Sequence, residues 1–136
     1  MRRLALALAL TYFALSASAA PFPTTILSGA TTTTSAPPTG AYVCSGNPQT
    51  PSGRPYAFQA FQFVETGTGA VTATIQLMSS LDGVSWANYG TPIGLSGTAP
   101  QVATAYGNAP FNCWAAVVTA ISGTGASITA EADFAP

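Results

Sequence analysis

The sequence predicts an all-β fold: a single antiparallel β-sandwich or jelly roll of seven or eight short strands, standing behind an N-terminal signal peptide. Three observations carry this. Apolar and polar residues alternate strictly in at least two segments, glycine-bearing connections of hairpin length separate the segments, and no window beyond the leader keeps a helical apolar period without a Gly or Pro interrupting it. These place the chain as signal peptide 1–19, Thr/Pro-rich linker 20–40 and β-sandwich domain 41–136.

Residues 1–19 open with Arg2 and Arg3, continue through an apolar run over 4–15 broken only by Thr11, and close on small residues with Ala17 and Ala19 in the A-x-A positions. This is the order of charged, apolar and cleavage regions in a secretory signal, and cleavage after Ala19 is expected. The run is shorter than the roughly 20 residues that a membrane span needs, so no membrane association is expected after cleavage. Export changes the meaning of Cys44 and Cys113. An even cysteine count in an oxidising compartment favours a disulfide, with two buried free thiols as the alternative. Closing a loop of about 70 residues stabilises a fold by roughly 4 kcal/mol in the chain-entropy model.

The segment 20–40 is rich in Thr, Ser, Pro and Gly, with Ile26 and Leu27 as its apolar punctuation. It carries too little apolar surface to offset the entropy of ordering it, and reads as a linker or a loosely attached first strand. An aromatic strand follows, with Phe58, Phe61, Phe63 and Val64. Next, Val71, Ala73, Ile75 and Leu77 share one parity against Thr72, Thr74 and Gln76, and Met78 breaks the pattern. Residues 111–121 are apolar on both parities, which suits a strand covered on both faces. In the last strand Ala126, Ile128, Ala130, Ala132 and Phe134 oppose Ser127, Thr129, Glu131 and Asp133. The stretches 66–69 and 122–125, Thr-Gly-Thr-Gly and Ser-Gly-Thr-Gly, read as hairpin turns between these strands. Turn and Thr/Ala strand chemistry accounts for their likeness without duplication. The expected core is Phe61, Phe63, Ile75, Leu77, Trp86, Val117, Ile128 and Phe134.

The most distinctive segment is 79–86, Ser-Ser-Leu-Asp-Gly-Val-Ser-Trp. Asp82-Gly83 is a tight-turn dipeptide, because Asp bonds its own backbone and Gly accepts positive φ. The turn carries Trp86 back over the sheet. Asp82, Trp86 and Tyr89 are the candidate ligand contacts: Asp82 for calcium with Asn88, the two rings for a sugar face. Against this, calcium usually takes several carboxylates, and a tryptophan at such a point is more often a core plug.

The S-x-D-G-x-x-W hairpin, the apolar strand, the S-G-T-G-A segment and the Thr/Ala-rich last strand resemble small β-sandwich proteins of tailed bacteriophages and prophages. The resemblance covers 73–89 and 115–134 and implies a head-decoration or tail-associated structural role. The same hairpin is similar to one in discoidin-like carbohydrate- or lipid-binding sandwiches. A protein assembled into virions in the cytoplasm needs no leader, so residues 1–19 point instead to an envelope-targeted prophage product or an exported surface module.

Composition narrows the function further. The chain has 136 residues, three Lys or Arg, four Asp or Glu and no His; it is 5% charged and 48% apolar. With Arg2 and Arg3 in the leader, Arg54 is left as the one cation, too few to neutralise phosphates, which excludes nucleic acid as a partner. Without His or Lys the commonest general bases are missing, and no enzyme activity, cofactor or metal is expected. Glu131 and Asp133 share a strand face at about 7 Å, a separation glycosidase carboxylates use, but acids on a solvent face usually solubilise. The expectation is a non-enzymatic structural or interaction module with a protein partner or self-association. The alternative is a carbohydrate-binding module, with a glycan as partner, that groups at least two of Tyr56, Trp86, Tyr89, Tyr106 and Trp114 on one open surface.

Overall fold

The computed structural model describes residues 23–37, 41–44, 58–109 and 111–135; the leader, Arg54 and Tyr56 lie outside the described residues. The fold is all-β, as expected. Six strands, β1 (Thr24–Ala30), β2 (Tyr42–Cys44), β3 (Phe58–Ser80), β4 (Ala87–Thr98), β5 (Gln101–Gly107) and β6 (Cys113–Ala135), form one antiparallel sheet. Its order is β1-β6-β3-β4, with β2 also on β6 and β5 also on β3.

β3 and β6 are 23 residues each and pair with one another from Phe58↔Ala135 to Ser80↔Cys113. The two Gly-bearing stretches read as hairpin turns therefore lie inside continuous strands. This corrects the expectation of seven or eight short strands. A hairpin turn reverses a chain onto itself, whereas here the glycines of β3 sit opposite those of β6, so both strands bend together and keep their pairing. Thr68 pairs with Thr124, and register shifts flank that pair. On either side a hydroxyl bridge crosses the strands, Thr66 to Ser127 at 2.9 Å and Thr72 to Ser122 at 2.7 Å. The likeness of the two stretches thus has a local cause: both meet the same geometry across a near two-fold axis through the bend.

The bend divides the sheet into halves of four strand segments. One is β1, the end of β6, the start of β3, and β5; the other is β2, the start of β6, the end of β3, and β4. Their inner faces close on each other, and Phe61 of the first half lies 5.3 Å from Trp114 of the second, centroid to centroid. Phe63, Ile75, Leu77, Ile128, Phe134 and Leu95 fill the rest of this core. Trp114 is fully enclosed and also meets Tyr89 at 4.8 Å and Phe111 at 5.8 Å. Two residues expected in that core are elsewhere. Trp86 and Val117 belong to a satellite cluster with Met78 and Ala115 on the outer face of the second half. This explains why Met78 breaks the alternation, and why 113–118 is buried on both parities.

The Thr/Pro-rich segment is only partly a linker. Residues 24–30 form β1 on β6, and Ile26 and Leu27 are buried in the main core. Two apolar side chains suffice because β6 already offers a paired edge and a hydrophobic slot. Beyond β1 the chain leaves the sheet, and the Thr34 amide donates to the Val118 carbonyl at 2.8 Å.

The bend makes unequal demands on its glycines. A Cβ at Gly123, with φ of 119°, would lie 2.9 Å from the Ala70 carbonyl oxygen and 2.8 Å from Val71 Cγ1; one at Gly125, with φ of 65°, would meet nothing within 4 Å. Gly125→Ala is expected to cost about 1–2 kcal/mol, the penalty of a left-handed non-glycine residue. Gly123→Ala should cost clearly more, because backbone must move as well, and urea denaturation of the two variants measures the difference.

Candidate functional site

The sheet's chemistry concentrates at the connection of residues 81–86 between β3 and β4. Asp82 builds this turn. Its Oδ1 accepts the Ser80 hydroxyl at 2.8 Å, the Val84 amide at 2.9 Å and the Ser85 amide at 2.7 Å. Ser80 Oγ in turn accepts the Gly83 amide at 2.9 Å. Hydrogen bonds from the Ser85 and Val84 amides hold the Asp82 carboxyl well below the usual carboxylate range. The carboxylate is thus engaged by its own turn, and among the described residues no group of three Cys, Asp or Glu converges on a common point. Asp82 Oδ1 braces the turn in which it sits.

The turn rests on a covalent clamp. Cys44 and Cys113, a directly paired couple of β2 and β6, form a disulfide. A Cβ at Gly83 would lie 3.4 Å from both sulfur atoms, so the turn packs against the bridge. Asn112 Nδ2 donates to the Leu81 carbonyl at 3.0 Å and ties the turn to the chain entering β6. β2 is only three residues long, too short for its ladder alone to fix it, and the disulfide supplies the tether. The bridge is compatible with an oxidising environment.

Around this clamp lies an apolar patch. Tyr42 stands beside Trp86 with centroids 5.3 Å apart and planes inclined at 60°. Trp86 is half-buried on the Met78, Ala115 and Val117 cluster. Leu81 and Val84, 65% and 81% exposed, belong to the same turn as Trp86. Tyr42 was not among the residues singled out from sequence; its signal was its position two residues before Cys44, which carries it to the strand facing the turn.

Of the other aromatics named from sequence, Tyr89, Tyr106 and Trp114 do not join this patch. Trp114 is in the core. Tyr89 is half-buried, packs edge-on against Phe111 and Trp114, and its hydroxyl donates to Asn108 Oδ1 at 3.2 Å. Tyr106 is exposed on β5, in the other half. Of the candidate ligand contacts, Trp86 and Asp82 share the turn, while Tyr89 points to the opposite side of the sheet.

The remaining acids differ sharply. Glu131 and Asp133 lie on the outer face of the first half, opposite Gln62 and Ala60, beside a shallow hollow of about 210 Å³ that Tyr106 and Thr104 also line. Glu65 shares the inward parity of Phe61 and Phe63 and is fully buried, between Gln101 on β5 and Ile128 on β6. Among the described residues neither of its carboxylate oxygens has a hydrogen-bond partner. Burial pushes its pKa up from the usual 4.5. Alternation continued from Phe61 and Phe63 places Glu65 inside, so parity was the signal available in sequence.

Comparison with protein-family models, with curated proteins and with solved structures finds no match for the chain.

The two shifted carboxyls pull stability in opposite directions. Glu65 carries no ionisation penalty while it is protonated in both states; as pH rises past the ordinary carboxylate range the unfolded chain ionises and the folded one resists, so folding weakens. Asp82 stabilises when ionised, and that contribution fades as pH falls below the ordinary Asp range toward its depressed folded value. Urea denaturation across pH is expected to show both losses, with Glu65→Gln removing the one at higher pH and Asp82→Asn the one in acid.

Proposed function

We propose that this chain is a non-enzymatic structural or interaction module, exported and phage- or prophage-derived, that acts at a surface or on a virion by docking a protein partner. The observation that carries this reading is the patch of Tyr42, Leu81, Val84 and Trp86. Exposed apolar side chains gathered on one turn and the strand packed against it mark interaction sites more often than scattered ones do. Here they stand on a turn braced by Asp82 and by the Cys44–Cys113 bridge. Rigid presentation lowers the ordering entropy lost on association. The scarcity of charge supports the same reading, because little electrostatic repulsion opposes packing against a neighbour.

Export rests on residues 1–19 and is supported by the disulfide; phage descent rests on the hairpin and last-strand resemblance. The carbohydrate-binding alternative asks for two open rings on one surface. Tyr42 and Trp86 are adjacent, but they pack on each other with planes inclined at 60° and so present no common flat platform for a sugar ring.

Replacing Leu81 and Val84 by Asp charges the patch without touching the core. Cell-surface and particle fractions from the producing cells are expected to hold the native chain and to lose the double variant, with near-UV circular dichroism unchanged. Equal retention of both overturns the docking role. Saturable binding on a glycan array, abolished by Trp86→Ala, decides for the sugar reading instead.

A further inference from the structure

The borders of the folded sheet are β1 and β5 in one half, and β2 and β4 in the other. An open strand edge is a template for another strand, and proteins guard such edges with proline, bulges, charge or brevity. Three of these borders are guarded. β1 follows Pro23 and is broken by two register shifts. β2 has three residues and is locked by the disulfide. β4 contains Pro92 and bulges opposite Gln76, whose side-chain amide donates to the Tyr89 carbonyl at 3.0 Å.

β5 follows Pro100 as β1 follows Pro23, but it has no bulge, no charge, no internal proline and no covalent lock. All seven residues hold unbroken register with β3, from Gln59↔Gly107 to Glu65↔Gln101, and the strand contains no charge and no proline. Among the described residues it is paired on one side only. Its outward Val102 and Tyr106 are 56% and 65% exposed. Its inward Ala103 and Ala105 are half-buried, while Phe61 and Phe63 beside them on β3 are enclosed. Among the described residues the sandwich is therefore open along this flank.

We propose that β5 pairs with β5 of a second copy of this chain, antiparallel, about a two-fold axis through Thr104. The strand is self-complementary in that register. Thr104 meets its own copy, Val102 meets Tyr106 of the second copy on both sides of the axis, Ala103 meets Ala105, and Gln101 meets Gly107. β-branched residues opposite aromatics and Thr opposite Thr are favourable cross-strand pairs. The register keeps outer face with outer face and doubles the four-stranded half into one continuous sheet. Without Arg2 and Arg3, Arg54 stands against four acids, a formal net charge of −3 that is still small, and Glu131 and Asp133 stand two strands in from the edge. An isologous contact of this kind closes at two copies. It uses the other half of the sheet from the Tyr42–Trp86 patch, so each surface can fail alone.

Sedimentation equilibrium of the purified, oxidised chain is expected to show a monomer–dimer equilibrium. Thr104 is exposed, so Thr104→Lys and Thr104→Glu should fold. Each places like charges across the axis and should weaken dimerisation about tenfold or more. Mixing the two variants should restore the dimer, because Lys then faces Glu. The Leu81→Asp, Val84→Asp chain should dimerise as the native one does. A native chain monomeric into the millimolar range, single variants that associate as the native chain does, or a mixture that stays monomeric overturns the proposal.

Discussion

Everything in this molecule depends on β3 and β6 staying paired while they bend. Two separate sheets would need connecting loops and would leave strand ends to be satisfied at the corner. Here the ladder from Phe58↔Ala135 to Ser80↔Cys113 runs through the corner with only local shifts. The cost is confined to a few glycines, and the Thr66–Ser127 and Thr72–Ser122 hydroxyl pairs brace both shoulders. Because the pairing is continuous, closing the halves is a hinge-like folding of one sheet rather than a docking of two. It brings Phe61 onto Trp114 across the core.

That closure sorts the few ionisable groups into different environments. Glu65 follows the inward parity of β3, so folding takes its carboxyl out of water with no hydrogen-bond partner among the described residues. Asp82 sits past the end of the same strand, where the chain has left the sheet and three donors converge on one oxygen. One strand thus leads to an acid whose ionised form the fold resists and to another whose ionised form the fold requires. Distance from the core, not residue type, decides which.

The surface is divided in the same way. The second half carries the disulfide, the braced turn and the satellite cluster under Trp86, and its borders are short or interrupted. The first half carries the smooth border of β5 and the outward acids of β6. Both halves have the same strand count, so the contrast arises from side chains and edges rather than from topology.

The period-2 alternation in 71–77 and 126–134, the tight turn at Asp82-Gly83 and the even cysteine pair are local signals. Each was legible because a strand's faces, a turn's φ values and a covalent pairing are expressed in neighbouring residues or in a count. The same logic placed Glu65 within reach of a parity argument. Other features were beyond such reasoning. Thr-Gly-Thr-Gly permits a reversal and a bend equally well, and which occurs depends on whether the opposite glycines arrive from the other strand. Ile26 and Leu27 look like punctuation in a linker until β6 supplies an edge for β1. Trp86 read as a core residue and Trp114 as a candidate ring of an open surface, and only the closure of the halves decided that Trp114 lies inside and Trp86 on the outer face. By itself the sequence determined strand type, facing and the turn, because these follow from backbone sterics and polarity at short range. The tertiary structure alone decided which face is buried twice and which edge is left open, because those depend on contacts between segments tens of residues apart.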